Sequence, residues 1–263
     1  MILLRECQGL DELEACVRLE IEVWGYCEGD IIPRRAFLVA QKIGGQVIGA
    51  FDTDLPGAPQ NGSPESMIGF AFSLPGVKTG TGEPRAYLHS HMLAVRESCR
   101  NRGLGAKLKL EQRKDALSRG IRHMEWTFDP LEIKNAFLNI HKLGATVCRY
   151  RPDFYGVSSS RLQGGLPTDR LLAEWELDSP RVLAVLAGLA PAAYSIEERI
   201  TVPAAIYQWK ASEEGKERAL QVQSENRNRF QQAFDRGLAI LGFARDAEGN
   251  GVFELGQANQ AAL

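Results

Sequence analysis

Two groups of residues in this chain have types and spacings suited to chemistry. The first is Arg100-Asn101-Arg102-Gly103-Leu104-Gly105-Ala106. Its glycines let backbone come close to a ligand without a Cβ in the way. The helix predicted to follow, over residues 103–119, presents unpaired N–H groups and the positive end of its dipole. Together these make an anion site of the pyrophosphate type. The second group is His89-Ser90-His91, on the strand predicted over residues 87–95. His91 has an intrinsic pKa suited to proton transfer near neutral pH. Simple alternation gives it the parity of Leu93 and Val95; its plain alternative is a packed core histidine. His89 shares that face, but no third ligand stands at a recognisable spacing, so no metal is expected. His123 and His141 are expected to be structural or surface residues.

At 263 residues the chain is one large domain or two smaller ones. Its 44% hydrophobic and 24% charged content is that of a soluble globular protein with a real core. A formal net charge of -2 argues against a general nucleic-acid binder. The charge is uneven, however: Arg96 to Arg122 holds nine basic residues and three acidic ones, so positive charge gathers around the glycine turn. A solvated helix face is the plain reading of such a run. Five scattered cysteines without a C-x-x-C pair exclude a disulfide framework or zinc module and fit a reducing cytoplasm. The N-terminal apolar run ends at Arg5 and Glu6, too short for a signal peptide. The most apolar run, residues 182–193, contains Pro191 and falls short of the ~20 residues a membrane span needs.

The elements that must position these residues follow from periodicity and turn chemistry. Residues 2–4 read as a strand and 11–24 as a helix with Leu10, Leu13, Val17 and Ile21 near one face. A second helix begins after Pro33 and runs to about residue 42. Strands are predicted over 46–53 and 67–74, with loops over 54–66 and 75–84. After the glycine turn come a helix stopped by Gly120, a strand over 121–128, a helix over 131–143 closed by Gly144, and strands over 146–150 and 170–177. The order β-α-α-β-β-β-α-β-α-β-β predicts a mixed sheet with helices on its faces. Beyond residue 178 the composition shifts. A short helix (181–189), a strand (199–202), a long polar helix (212–236) and a hairpin (238–244 with 252–255) around Asn250-Gly251 are predicted, with residues 256–263 frayed.

The glycines do not fit a P-loop, because Gly105-Ala106-Lys107 lacks the Gly-Lys-Ser/Thr ending. A Rossmann turn would want a third glycine where Leu108 stands. Residues 93–108 instead resemble motif A of the GNAT (Gcn5-related N-acetyltransferase) superfamily, whose Gln/Arg-x-x-Gly-x-Gly/Ala core stands here as Arg100-Asn101-Arg102-Gly103-Leu104-Gly105. The element order is similar too, over residues 1–177. Val23-Trp24-Gly25, Ser90-His91, residues 126–131, Asn135-Ala136, Lys142-Leu143-Gly144 and residues 168–171 resemble an uncharacterised bacterial subgroup of that superfamily. The resemblance implies an α/β (α+β) fold: a GNAT-like, mostly antiparallel sheet flanked by helices. The expected division is an acyl-CoA-binding domain at 1–178 and a C-terminal α/β extension at 179–263 that packs on it, covers the acceptor cleft or makes a homodimer contact.

The resemblance also implies roles. Acetyl-CoA, or another acyl-CoA, is the donor, and a primary amine on a small molecule or peptide is the acceptor. Backbone N–H groups of Asn101, Arg102, Gly103, Leu104, Gly105 and Ala106 hold the pyrophosphate, and the Arg100 side chain orients the loop. Leu93 and Val95 hydrogen-bond the pantetheine, and Asn135 touches it. Direct attack of the amine on the thioester needs a base, for which His91 is the candidate, and an acid. The superfamily's usual acid is a tyrosine four residues before the glycine closing the last core helix, and Ile140 occupies that position here. Tyr150 or Tyr155 then supplies the proton, or the thiolate leaves unaided, or no transfer occurs. Trp24, Glu28 and Asp30 fall where the superfamily lines its acceptor side. A non-catalytic acyl-CoA-binding module and a nucleotide-binding protein are the rival expectations.

Overall fold

A computed structural model of the chain describes residues 1–79 and 83–258. It has ten strands among the described residues, mixed with helices, and the strand pairing is mostly antiparallel. The chain divides into two compact units, residues 1–124 with 159–161, and residues 125–158 with 162–263. The expected boundary at residue 178 does not coincide with this division, because segments on both sides of it are interleaved in the second unit.

In the first unit β1 (Ile2–Glu6), β2 (Gln46–Asp52), β3 (Met67–Lys78) and β4 (Arg85–Val95) lie in sequence order, each antiparallel to the next. Alternating side chains give this sheet two apolar faces. One carries Val47, Phe51, Phe70, Phe72, Met92 and Ala94 against helices α1 (Gly9–Trp24) and α2 (Arg34–Lys42). The other carries Ile48, Ala50, Ile68 and Ala71 against Leu104 and Leu108 of α3 (Leu104–Ser118). Each large side chain buried this way contributes about 1.5–3 kcal/mol.

The buried stripe of α1 matches the predicted one only in part. Leu13 is buried and Val17 packs partly buried on the core as expected, but Leu10 and Ile21 are exposed, and the helix also buries Glu12, Ala15, Cys16, Leu19, Glu20 and Val23. A helix end at Gly25 follows from that residue's left-handed backbone (φ 69°), whose N–H caps the Ile21 carbonyl at 2.8 Å. Much of the loop predicted at 75–84 is strand, because β3 and β4 pair out to Lys78 and Arg85; its residues 80–82 lie outside the described residues.

The second unit orders its strands as β5 (His123–Phe128, in which the division between the units falls), β7 (Arg170–Glu176), β6 (Thr146–Arg151), β9 (Leu238–Arg245), β10 (Gly251–Gln257) and β8 (Glu198–Val202). The hairpin pairs directly with residues before 178, through Val147 opposite Ile240. Arg181, buried at the start of α5 (Pro180–Leu186), donates to the carbonyls of Gly144 and Leu241 and ties the same segments. The helix predicted over 131–143 is a single α turn, α4 (Ile133–Ala136), that widens into a π-helix over Phe137–Lys142. The helices α6 (Ile206–Lys210), which the sequence analysis missed, and α7 (Glu213–Asp235) complete the unit, and Ser212 caps α7 by accepting from the Gly215 N–H at 3.1 Å. β10 runs to Gln257, past the predicted start of fraying; residues 259–263 of that tail lie outside the described residues. Among the described residues, no helix is long and apolar enough to cross a membrane.

Candidate active site

The glycine turn and the strand before it lie wholly in the first unit. β4 alternates buried and half-buried residues as far as Val95, then a single 3-10 turn (Glu97–Cys99) leads into the motif. Arg100 donates from Nε to the Val95 carbonyl at 3.1 Å, which ties the loop to the strand end. Asn101 and Gly103 both adopt left-handed backbone, at φ 62° and 74°, so the chain curls tightly before α3. Gly103 is the N-cap residue and supplies no side chain to the helix end, and the first turn of α3 holds no acidic residue. Its opening N–H groups therefore face outward without a carboxylate to quench them. A Cβ added at Gly103 would meet nothing within 4 Å, so the space above the turn is open. Asn101, Arg102 and Gly103 are exposed, Gly105 and Ala106 are half-buried, and Leu104 is buried in the core.

α3 is held on the sheet by polar as well as apolar contacts. Ser90 accepts from Lys109 Nζ at 2.7 Å and donates to Gln112 Oε1 at 2.9 Å. Gln46 donates to the Gln112 carbonyl at 2.8 Å and to Asp115 at 2.6 Å, and accepts from Ser73 at 2.9 Å. Lys109 belongs to the basic run that composition assigns to solvent, yet it is buried, and burial pushes its pKa well down. This buried polar stripe explains why the apolar residues of α3 do not line up.

His91 sits at an irregularity that changes the face it shares. Phe72 lies opposite Met92 and Ser73 opposite Ser90, which leaves His91 as the extra residue of a β-bulge. The bulge breaks the alternation, so parity with Leu93 and Val95 does not hold. Those two pack with the α3 cluster, while the His91 ring stands edge-on to Phe72 at 6.0 Å, on the α1–α2 side. Burial, and then the neighbouring His89 ring 6.1 Å away, push its pKa down to about 4. His91 is thus a neutral imidazole at physiological pH.

The region between α1 and α2 is also in the first unit. Trp24 stacks on Tyr26 with ring centroids 5.6 Å apart. Glu28 is exposed. Asp30 is occupied by Ser159, accepting from its N–H at 2.7 Å and its hydroxyl at 2.6 Å. Ser159 also accepts from the Cys27 N–H at 2.9 Å, and Arg161 donates from its N–H to the Trp24 carbonyl at 3.0 Å and from its guanidinium to that of Glu22. Residues 159–161 thus strap the loop down.

The remaining candidates are in the second unit. Asn135 is exposed on the one-turn α4, and Ile140 is buried in the π-helix. Tyr150 is buried, and its hydroxyl donates to Asp169 at 2.5 Å; burial and that carboxylate hold its pKa far above the ordinary phenol value. Tyr155 is half-exposed, with its hydroxyl 2.9 Å from that of Thr127 and Arg170 over its ring. The outlying histidines are engaged elsewhere: His123 contacts Lys78 Nζ at 2.7 Å, and His141 stacks on Phe137.

Sequence reasoning missed one residue of this region. Glu20 is fully buried on α1, and neither of its carboxylate oxygens has a hydrogen-bond partner. Burial raises its pKa to about 8, against the lowering influence of the Ile32 N–H. The signal lay in its position one turn after Cys16 and one residue after Leu19, on the stripe that ends at Val23.

A scan against family models and a search of curated proteins each give no match. Among solved structures, the chain is similar to Arabidopsis thaliana NAA60 in complex with a bisubstrate analogue, at 16% identity and a TM-score of 0.52, covering 66% of this chain and 97% of that one. It is similar also to the same protein in complex with acetyl-CoA, at 16% identity and a TM-score of 0.51, covering 67% and 99%. The fold is that of the GNAT acetyltransferases.

Proposed function

We propose that this protein is an acyl-CoA-dependent N-acyltransferase, with acetyl-CoA as donor and a primary amine as acceptor. The observation that carries the reading is the Arg100–Ala106 turn: two left-handed residues, an uncapped helix start free of acidic residues, and open space above Gly103, directly after the bulged strand β4. The N–H groups from Asn101 to Ala106 would hold the pyrophosphate, with Leu93 and Val95 on the strand for the pantetheine arm. The donor supplies a thioester-activated acyl group. His91, neutral and beside Phe72, would accept a proton from the incoming ammonium, directly or through water; its low pKa makes it a weak base. The Tyr150 hydroxyl is committed to Asp169 and is not available as the acid.

A second reading, an acyl-CoA-binding module without turnover, is favoured by Ile140 standing buried where the fold's usual acid belongs. Melting curves with acetyl-CoA, CoA, ATP and NAD test the donor. A ligand that binds only the folded state adds about 2.7 kcal/mol at 100 times its Kd. The reading requires a rise with acetyl-CoA and CoA alone; equal rises with ATP or NAD, or none with acetyl-CoA, reject it. Thiol release on adding amines then separates enzyme from binding module.

A further inference from the structure

We propose that Glu20 is the acceptor-recognising carboxylate, and that the ammonium group of a primary alkylamine enters beneath the segment between Gly25 and Ile32 and pairs with it. The proposal deepens the acyltransferase reading and rests on it. It starts from an asymmetry along α1. Glu12 has Arg5 at 2.6 Å, Glu14 has Arg34 at 3.3 Å, and Glu22 has Arg96 at 3.2 Å. Those three carboxylates carry their own countercharge. Glu20 alone of these four is fully buried; no cation pairs with it, its oxygens complete no hydrogen bond, and the one backbone donor that acts on it is the Ile32 N–H. Leucine or glutamine would fill that volume without an uncompensated acid, so the carboxyl contributes nothing to packing that those residues would not.

What surrounds the carboxyl fits a cation. Glu20 lies one turn before Trp24, and the stacked Trp24 and Tyr26, with Ile32, pack on the core cluster that holds Leu19, Val23, Phe72 and Met92. Aromatic faces beside a carboxylate favour an alkylammonium, through cation–π attraction at the head and apolar contact along the chain. His91 stands against Phe72 on this same face of the β1–β4 sheet, so the proposed proton acceptor and Glu20 share one side. The α1–α2 loop brings the Ile32 N–H towards Glu20, and residues 159–161 hold that loop by exposed hydrogen bonds. Bonds of that kind open at small cost, because water replaces them.

Binding must also balance a proton. Without ligand the carboxyl is protonated at neutral pH, because burial raises its pKa to about 8. An ammonium beside it makes the carboxylate the stable form, so the proton leaves to solvent as the amine binds. The titratable group near it on α1 is Cys16, whose thiol Glu20 helps push up, and the loop offers the Ile32 N–H. Among the described residues, no charged side chain of another element contributes to its shift.

The test compares the wild-type chain with Glu20→Gln and Glu20→Leu, each titrated calorimetrically with n-hexylamine and with n-hexanol as the uncharged control. Two buffers of different ionisation heat report proton release. The expected result is that hexylamine binds the wild type with release of about one proton. It should bind both variants at least about tenfold more weakly and without proton release, while hexanol does not tell the three apart. Equal hexylamine affinity in wild type and Glu20→Gln, binding without proton release, or no binding to the wild type would each overturn the proposal. Acetyl-CoA titrated into the same proteins separates this from the parent reading. If acetyl-CoA binds all three alike while hexylamine fails to discriminate, the proposal alone falls. If hexylamine discriminates but acetyl-CoA does not bind, the donor assignment falls and Glu20 stands as an amine site.

Discussion

Two carboxylates in this chain are equally buried and oppositely treated. Asp169, in the second unit, accepts from Tyr150 Oη at 2.5 Å, from the Asp153 N–H at 3.0 Å, and from both Nε and Nη2 of Arg227 at 2.8 Å. Its charge is neutralised by an arginine, and its donors lock β6, the loop after it and α7 into one arrangement. Glu20, in the first unit, has the same zero exposure and none of these partners. A buried acid that is fully satisfied holds a fold together; one left bare destabilises it and keeps its bonding capacity for something else. The comparison separates a structural acid from a functional candidate on physical grounds, and it can be broken at either end.

The largest expected effect is at the satisfied end. Asp169→Ala strands the Arg227 charge and the Tyr150 hydroxyl, and should destabilise the second unit by about 3–5 kcal/mol in urea unfolding. A loss under about 1 kcal/mol would show that the clasp is not what fixes this region. His91 is a half-buried base left neutral, and it sharpens the same logic. Its folded pKa of about 4 lies below the ordinary imidazole value of 6.5, so the unfolded state binds the extra proton between these values. The His91 contribution to stability should therefore be level above pH 6.5 and fall by up to about 3 kcal/mol on acidification towards pH 4, read as the difference between wild type and His91→Phe. His91→Phe should flatten that slope.

At the unsatisfied end the sign reverses. Glu20 ionises near 4.5 when unfolded and near 8 when folded, so the folded state holds the extra proton between them and the Glu20 contribution to stability falls as pH rises. Glu20→Leu should stabilise the protein by about 1–3 kcal/mol at pH 8, with a smaller gain near pH 4.5. A destabilised Glu20→Leu would mean that the carboxyl has a partner. The smallest effect is expected at Lys109, whose burial is matched by Ser90. Lys109→Met should unfold within about 1.5 kcal/mol of wild type, because apolar packing replaces a buried amine at little cost.

The glycine turn was legible because its chemistry is local: Arg100, Gly103 and Gly105 act through backbone conformation that neighbours in sequence dictate. The element order was legible for the same reason, as caps and turns such as Gly25 and Asn250-Gly251 punctuate it. Three features were not. The bulge at His91 depends on how β4 registers against β3, which period-2 counting cannot foresee, and it moves the ring to the other face. The burial of Lys109 depends on meeting Ser90, which in turn donates to Gln112. Glu20 was not singled out from the sequence, and only the stripe of Cys16, Leu19 and Val23 shows that it belongs to the buried side of α1. In the second unit the π-helix at Phe137–Lys142 gave a pattern that helical periodicity reads as an ordinary α-helix.

The central claim is that the Arg100–Ala106 turn holds the donor's pyrophosphate. Calorimetric titration of acetyl-CoA into wild type, Gly103→Ala and Gly103→Asp tests it most directly. The open space above Gly103 admits either side chain, and both share the backbone strain at φ 74°, so the difference between the two variants isolates charge. Binding to wild type, reduced in Gly103→Ala and lost in Gly103→Asp with the fold retained by circular dichroism, is the predicted result. Equal affinity in the two variants, or no binding to wild type, would contradict it.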